Sequence, residues 1–429
     1  MIRTVLGSLP RDGRLLLLTR FIRLFAYGAL SVVLVLYLTA LNLNPAQVGL
    51  LLTLTLVGDT IVSFWLSTHA DRIGRRRMLI LGGGLMAAAG LVFAFTHNFL
   101  ALLIAGTIGV ISPSGNEVGP FLPIEQAALA HVVPSETRTS VFAWYTLIGS
   151  FATALGSLSA GLLSQTLRRT HLPPLVPYQA VVLLYAALGL LLALEFSRLS
   201  PEAEVKVSGT LPRFGLGSSR KVILQLSALF ALDSFAGGFV VQSFAAYWFY
   251  LRFGVDPATL GAIFFGANVL AGISALLASR LAARFGLVRT MVFTHLPSNV
   301  LLILVPLMPT LPLAVVVLFA RFSISQMDVP TRQSYVMAVV APEERSAAGG
   351  ITGVARTIGA GLAPVFAGLL FARPALISVP FFIAGGLKIV YDLLLYRGFV
   401  TRSPSPAAFS APRPATPDAP PSNRTTTRS

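Results

Sequence analysis

The sequence predicts an all-α polytopic membrane protein with twelve transmembrane helices in two pseudo-symmetric six-helix bundles. Three observations carry that prediction. Residues are 55% hydrophobic and only 11% charged over 429 positions, whereas soluble domains carry about 25% charged residues. Apolar windows of about 20 residues, the length that crosses a hydrocarbon core, recur almost end to end. Motifs of the first half return about 210 residues later in the second.

Windows bounded by polar or Pro/Gly punctuation place spans near 15–41, 47–68, 78–96, 99–132, 139–167 and 178–197, then 222–251, 257–279, 291–308, 311–341, 346–371 and 375–397. The organisation is a polar N-terminus (1–14), a first bundle (15–197), a charged linker (198–221), a second bundle (222–397) and a tail (398–429). The tail, rich in Pro, Ser, Thr and Arg, is expected to be disordered. Met1 to Arg14 is polar and the first apolar stretch runs on into a full span, so a retained helix is expected rather than a cleaved leader.

Positive charge sets the orientation. With the N-terminus in the cytoplasm, 22 Lys/Arg fall in the termini and cytoplasmic loops, and external loops hold only Arg168, Arg169, Arg252 and Arg373. Both termini are therefore expected on the cytoplasmic side of the cell membrane. The same distribution accounts for the net charge of +16 without nucleic acid, which needs its positive charge clustered on one solvated face or arm.

With 0 Cys there is no disulfide, thiolate nucleophile or iron–sulfur ligation. No GxxxxGK[ST] loop, metal-ligand spacing or catalytic constellation occurs, so neither a cofactor nor an enzymatic activity is assigned and energy must come from an ion gradient. His69, His97, His131, His171 and His295 are scattered among loops and span ends and are expected at the membrane interface.

The repeat is specific at polar points. NPAQVG (44–49) matches DPATLG (256–261), HADRIGRRRM (69–78) has a decayed counterpart in LAARFGLVRT (281–290), EQAALAHVVPSETR (125–138) parallels RQSYVMAVVAPEER (332–345), and SLSAGLL (157–163) parallels APVFAGLL (363–370). Paired repeats of this kind are how secondary transporters are built.

The loop STHADRIGRRRML (67–79) resembles the Gly-x-Leu-x-Asp-Arg-x-Gly-Arg-Arg signature between helices 2 and 3 of the major facilitator superfamily. Asp71, Arg72, Gly74, Arg75 and Arg76 match, and Ser67 and His69 depart from it. The resemblance covers residues about 12–397 and implies that this loop latches the cytoplasmic ends of the two halves, with Glu136 and Arg138 of the next cytoplasmic loop taking part. On physical grounds Gly74 permits a tight turn, and Asp71 suits free amides at a helix N-terminus or an arginine. GSLSAG (156–161) and LAPVFAG (362–368) faintly resemble the Gly-Pro-x-x-Gly-Gly signature of proton-exchanging exporters. Ser157 and Ala160 break the match, and close helix packing explains the small residues more simply.

In the family architecture helices 1, 4, 7 and 10 line the cavity, and each of them here carries charge: Arg20 and Arg23; Glu117 and Glu125; Asp233; Asp328 and Arg332. Ionisable groups inside a span are costly and mark functional sites. Counting from the cytoplasmic ends places Arg23, Glu125, Asp233 and Arg332 about 8 to 11 residues in, roughly 12–16 Å, near mid-membrane. Glu125 and Arg332 are repeat equivalents, each followed by Gln (Gln126, Gln333), and are expected to face one another across the pseudo-twofold. The centre of helix 4, SPSGNEVGPFLP (112–123), should be broken by Pro113, Gly115, Gly119 and Pro120. Asn116 and Glu117 are then the candidates for holding an ion, a substrate or a proton among freed backbone groups. Asp59 in helix 2 and Arg356 in helix 11 are expected to pair between bundles.

The expected function is secondary transport of a small solute by a monomer in the bilayer. Proton-coupled efflux is preferred over uptake of a metabolite or organic anion, and a non-transporting sensor is the third alternative.

Overall fold

The computed structural model describes residues 9–115, 121–133, 135–170, 172–204, 219–340 and 344–400, and among these every regular element is helical. The first bundle comprises α1 (Arg11–Ala40), α2 (Pro45–Ile73), α3 (Arg75–Phe95), the broken span α4a (Phe99–Ile108) and α4b (Phe121–Val132), α5 (Ser135–Arg168) and α6 (Val176–Ser197). The second comprises α7a (Arg220–Gly238), α7b (Gln242–Phe253), α8 (Pro257–Phe285), α9 (Leu287–Leu304), α10a (Leu311–Ser325), α10b (Asp328–Ala338), α11 (Arg345–Phe371) and α12 (Val379–Phe399). Eleven spans are continuous enough in length and apolarity to cross a membrane, and α4a with α4b supplies the twelfth. The tail and most of the linker lie outside the described residues.

The sequence repeat is a structural repeat. Asn44 and Asp256 cap α2 and α8 by accepting from the backbone amides of Gln47 (2.9 Å) and Thr259 (2.9 Å), with proline at the first helical position of each. At the far ends, α2 turns into α3 through Gly74 alone (φ 118°) and α8 into α9 through Gly286 alone (φ 83°). A one-residue joint between helices needs a positive φ that only glycine adopts cheaply.

Within each bundle α5 packs along α1 and α11 along α7a; across the bundles α5 packs on α8 and α11 on α2. The crossings are close because glycines meet. A Cβ on Gly49 would lie 2.5 Å from the Pro364 carbonyl oxygen and 2.9 Å from the Gly368 Cα; one on Gly261 would lie 2.7 Å from the Ser157 oxygen and 3.0 Å from the Gly161 Cα. Small-residue stripes let backbones approach in this way where lipid provides no hydrophobic drive between helices. The GSLSAG and LAPVFAG segments are therefore the two halves' mutual packing surfaces.

These crossings sit toward the Asn44 end of the bundle, and the other polar contacts between halves sit with them. Gln242 donates to Ser31 Oγ (2.8 Å) and Ser157 Oγ (3.3 Å), Ser243 Oγ to the Pro113 oxygen (2.6 Å), and Thr53 Oγ1 accepts from the Val365 amide (2.8 Å). At the Gly74 end, no hydrogen bond or ion pair joins the bundles among the described residues. The buried core shows the same asymmetry: Ile223, Leu226, Tyr335 and Leu395 form a separate cluster at that end of the second bundle, whereas the first bundle's core is continuous with the Asn44 end of the second.

Three spans are interrupted. The break in helix 4 follows from Pro113 and Gly115 (φ 68°) as expected. Those between α7a and α7b and between α10a and α10b depart from the continuous helices that the apolar windows predict over 222–251 and 311–341. Gly237 and Gly238, poor helix formers, give the physical reason for the first.

Candidate functional site

Each ion pair between spans stays within its own bundle among the described residues. In the first bundle Arg23 on α1 forks onto Glu125 on α4b, Nη1 to Oε1 at 2.6 Å and Nη2 to Oε2 at 2.8 Å, with both side chains fully buried. Thr19 donates to Glu125 Oε1 (3.0 Å), and the Tyr145 hydroxyl donates to Oε2. The Arg23 guanidinium lies 4.7 Å over the Phe121 ring, and that of Arg20 lies 4.4 Å over the Tyr145 ring. The carboxylate is thus surrounded by donors, the condition under which a buried pair offsets its desolvation.

In the second bundle Asp233 on α7a is shared. Lys388 Nζ on α12 sits 2.6 Å from Oδ1, Arg332 Nη1 on α10b 3.2 Å from Oδ2, and His295 Nε2 on α9 3.8 Å from Oδ1. Arg332 also reaches Asp328 Oδ2 at 3.0 Å. On the other side of His295, its Nδ1 lies 2.9 Å from Asp392 Oδ1, and Asn299 donates to Asp392 Oδ2 (2.9 Å). A chain of titratable groups thus runs from α10b through α7a and α9 to α12.

The two sites are equivalents with reversed polarity. Arg23 and Asp233, like Glu125 and Arg332, stand about 210 residues apart in the repeat; the first bundle places its cation on the first helix, the second its anion. This corrects the expectation that Glu125 and Arg332 pair across the pseudo-twofold. A buried charge takes the nearest counter-charge, and each bundle supplies its own: Arg23 for Glu125, Asp233 and Asp328 for Arg332.

Other expectations are corrected for similar reasons. Asp59 and Arg356 do not pair with each other: Ser63 donates to Asp59 Oδ1 (3.4 Å) within α2, whereas Arg356 lies in the field of Asp233, Asp328 and Arg332 in its own bundle. His295 is not interfacial but buried in the network, while His97 and His131 are exposed and His69 is half-buried. The carbonyls freed by the break in helix 4 are largely taken up by the protein itself: Val110 accepts from the Tyr185 hydroxyl, Pro113 from Ser243, and Gly115 from Thr153 Oγ1 (3.3 Å). Asn116, Glu117 and His171 lie outside the described residues. Gln126 is half-buried and Gln333 exposed.

At the signature loop, Glu204 from the start of the linker caps α3. It accepts from the Arg76 amide (3.0 Å) and the Arg75 amide (2.7 Å), using the positive helix end expected for Asp71. Arg75 is buried against Ala203; Arg72 and Arg76 are exposed. The side chains of Asp71, Glu136 and Arg138 are outside the described set.

Sequence reasoning overlooked Lys388, Asp392, Asn299 and Tyr145. The signal for the first two was present, since Lys388 and Asp392 stand four apart inside an apolar span. They were lost because the resemblance directs attention to helices 1, 4, 7 and 10, and α12 is not among them.

Two parallel repeats of six spans, sealed together toward one end and carrying buried charges near mid-span, define a polytopic secondary transporter. The chain belongs to the major facilitator superfamily, whose family model matches residues 16–252 and 226–427. It is 32% identical to the uncharacterized membrane protein YJR124C of Saccharomyces cerevisiae, covering 90% of this chain and 93% of the relative. It is 27% identical to quinolone resistance protein NorA of Staphylococcus aureus (strain MRSA252) over 35% of this chain and 37% of that one. Among solved structures, a bacterial homolog of the human lysosomal transporter Spinster, inward-facing and occupied, superposes with a TM-score of 0.72 at 18% identity, covering 92% of this chain and 98% of that one. The nucleoside transporter NupG does so at 0.71 and 14%, covering 90% and 99%.

Proposed function

We propose that the protein moves a small solute by alternating access, coupled to protons and directed outward, with both termini and the Gly74 end in the cytoplasm. The observation that carries this reading is the pair of polarity-reversed charge sites at equivalent mid-span positions, combined with polar contacts between halves that, among the described residues, lie toward one end. In that orientation the structure is an inward-facing state, closed by the Gly49–Gly368 and Gly161–Gly261 crossings. Rocking about the charged layer exchanges which end is closed. The partial similarity to a quinolone resistance protein favours efflux over uptake.

Proton carriage is assigned to Glu117, Glu125 and Asp233. Asp233 has the geometry for it, because Lys388, Arg332 and His295 compete for one carboxylate, so a proton arriving there redistributes existing contacts rather than leaving a bare charge. Glu125 can take up a proton only when Arg23 lets go of it. Reconstituted vesicles test the assignment. Asp233→Asn should abolish accumulation driven by a proton gradient while leaving exchange between equal substrate pools intact, since exchange needs no net proton movement. If Glu117→Gln, Glu125→Gln and Asp233→Asn all still concentrate substrate, proton coupling through these groups is wrong and a sodium-driven or facilitative mechanism replaces it.

A further inference from the structure

Two arginines inside the second bundle have no counter-ion of their own. Arg321 on α10a and Arg356 on α11 each hold a buried Nε with no acceptor, and among the described residues neither is within ion-pair distance of a carboxylate. The nearby acids are already engaged: Asp233 by Lys388 and Arg332, Asp328 by Arg332, Asp392 by His295 and Asn299.

Neither arginine is a snorkelling lipid-facing residue. On α10a the lipid stripe is Leu313, Val316 and Ala320, and Arg321 continues the opposite, buried stripe of Ala314, Leu318 and Ser325. On α11 the exposed stripe is Val354, Ile358 and Leu362, while Arg356 stands between buried Thr352 and Ala363. Arg321 lies about ten residues from the Leu311 end of its helix and Arg356 about eleven from the Arg345 end of its own, roughly 15 Å inside in each case. Both lie in the field of Asp233 and Asp328.

A guanidinium at this depth without a partner is expensive, and its planar fork of donors matches carboxylate and phosphate oxygens. We infer that Arg321 and Arg356 are the substrate-binding cations, and that the transported solute is an organic anion bearing a carboxylate or phosphate group. This rests on the transporter reading given above and specifies its substrate class. The anion supplies the missing counter-charge, while the Asp233–Lys388–Arg332 network beside it remains available for protons.

The test is thermal stabilisation of the purified full chain by benzoate, succinate, citrate and phenyl phosphate, with tetraphenylphosphonium as the cationic comparison. At least one anion should stabilise saturably, with Arg321→Gln and Arg356→Gln each weakening its apparent affinity about thirtyfold or more. Arg252→Gln at the exposed end of α7b should leave it unchanged. Carboxylates and phenyl phosphate separate the two ligand chemistries. If the Gln variants fail to fold, Arg321→Lys and Arg356→Lys keep the charge but lose the fork, and should give an intermediate loss. Stabilisation by tetraphenylphosphonium alone, by none of the probes, or by anions equally in wild type and variants overturns the inference. Vesicle uptake of the binding anion then tests the underlying reading separately. Arginine-dependent binding without movement across the membrane would keep the anion site and refute transport, and movement of a cation or neutral solute unaffected by either variant would do the reverse.

Discussion

The two bundles put an ion pair at the same repeat position and use it differently. In the first, Arg23 and Glu125 form one bidentate pair with 0% exposure on both sides, reinforced by Thr19 and Tyr145. In the second, Asp233 is divided among Lys388, Arg332 and His295, and Arg332 is divided in turn between Asp233 and Asp328. A pair with saturated geometry has one low-energy arrangement. A network with more donors than it can satisfy at once has several of similar energy, which is what exchange of a proton or an anion requires. On the proposed reading, the second bundle rearranges its charge layer more readily than the first.

The largest expected effect breaks that comparison directly. Glu125→Leu leaves the buried Arg23 guanidinium without its carboxylate and should destabilise by about 3–5 kcal/mol, read as lost folded yield and thermal midpoint. Asp233→Asn should cost markedly less, because Arg332 retains Asp328. Equal losses at the two positions would show that the second bundle is as rigidly specified as the first.

A second prediction concerns the closed end. Gly49→Ala and Gly261→Ala drive a Cβ into backbone at 2.5 and 2.7 Å, so the crossing must part, at a cost of about 1–3 kcal/mol in that conformation. A cysteine replacing Ser31 in this Cys-free chain should become more reactive to a reagent added on the Asn44 side. Unchanged labelling would mean that the glycines pack the bundle without gating it. The same approach fixes the orientation, since a cysteine at position 76 should react only from the cytoplasm.

Smaller effects are expected at the helix ends. Glu204→Ala removes a carboxylate from two amides of α3 and should cost about 1 kcal/mol, less at high salt. Asp256→Ala should cost about 1 kcal/mol or less at neutral pH. The Thr259 amide holds the Asp256 carboxyl below its ordinary pKa. The cap's contribution is therefore present above the unfolded carboxyl pKa of about 3.9 and is lost as pH falls through the lower folded value. The difference between Asp256→Ala and wild type in thermal midpoint should shrink in acid and stay level from pH 6 to 8.

Twelve spans, two halves, the repeat with its caps, and the break in helix 4 were determined by the sequence alone. They depend on local physics: runs of apolar residues as long as the membrane is thick, side chains that cap the next turn, and glycine or proline where the backbone must bend. The GRRR loop and the in-span charges likewise marked where to look for a site. Only the tertiary structure decided which charges meet, because a partner is chosen by distance between helices that are remote in sequence. Arg23 takes Glu125 from 102 positions away, and Lys388 and His295 are brought to Asp233 from helices that the family resemblance leaves outside the cavity. Arg321 and Arg356 became distinctive for the same reason: that every nearby carboxylate is already engaged is a property of the packed bundle, which no stretch of sequence carries.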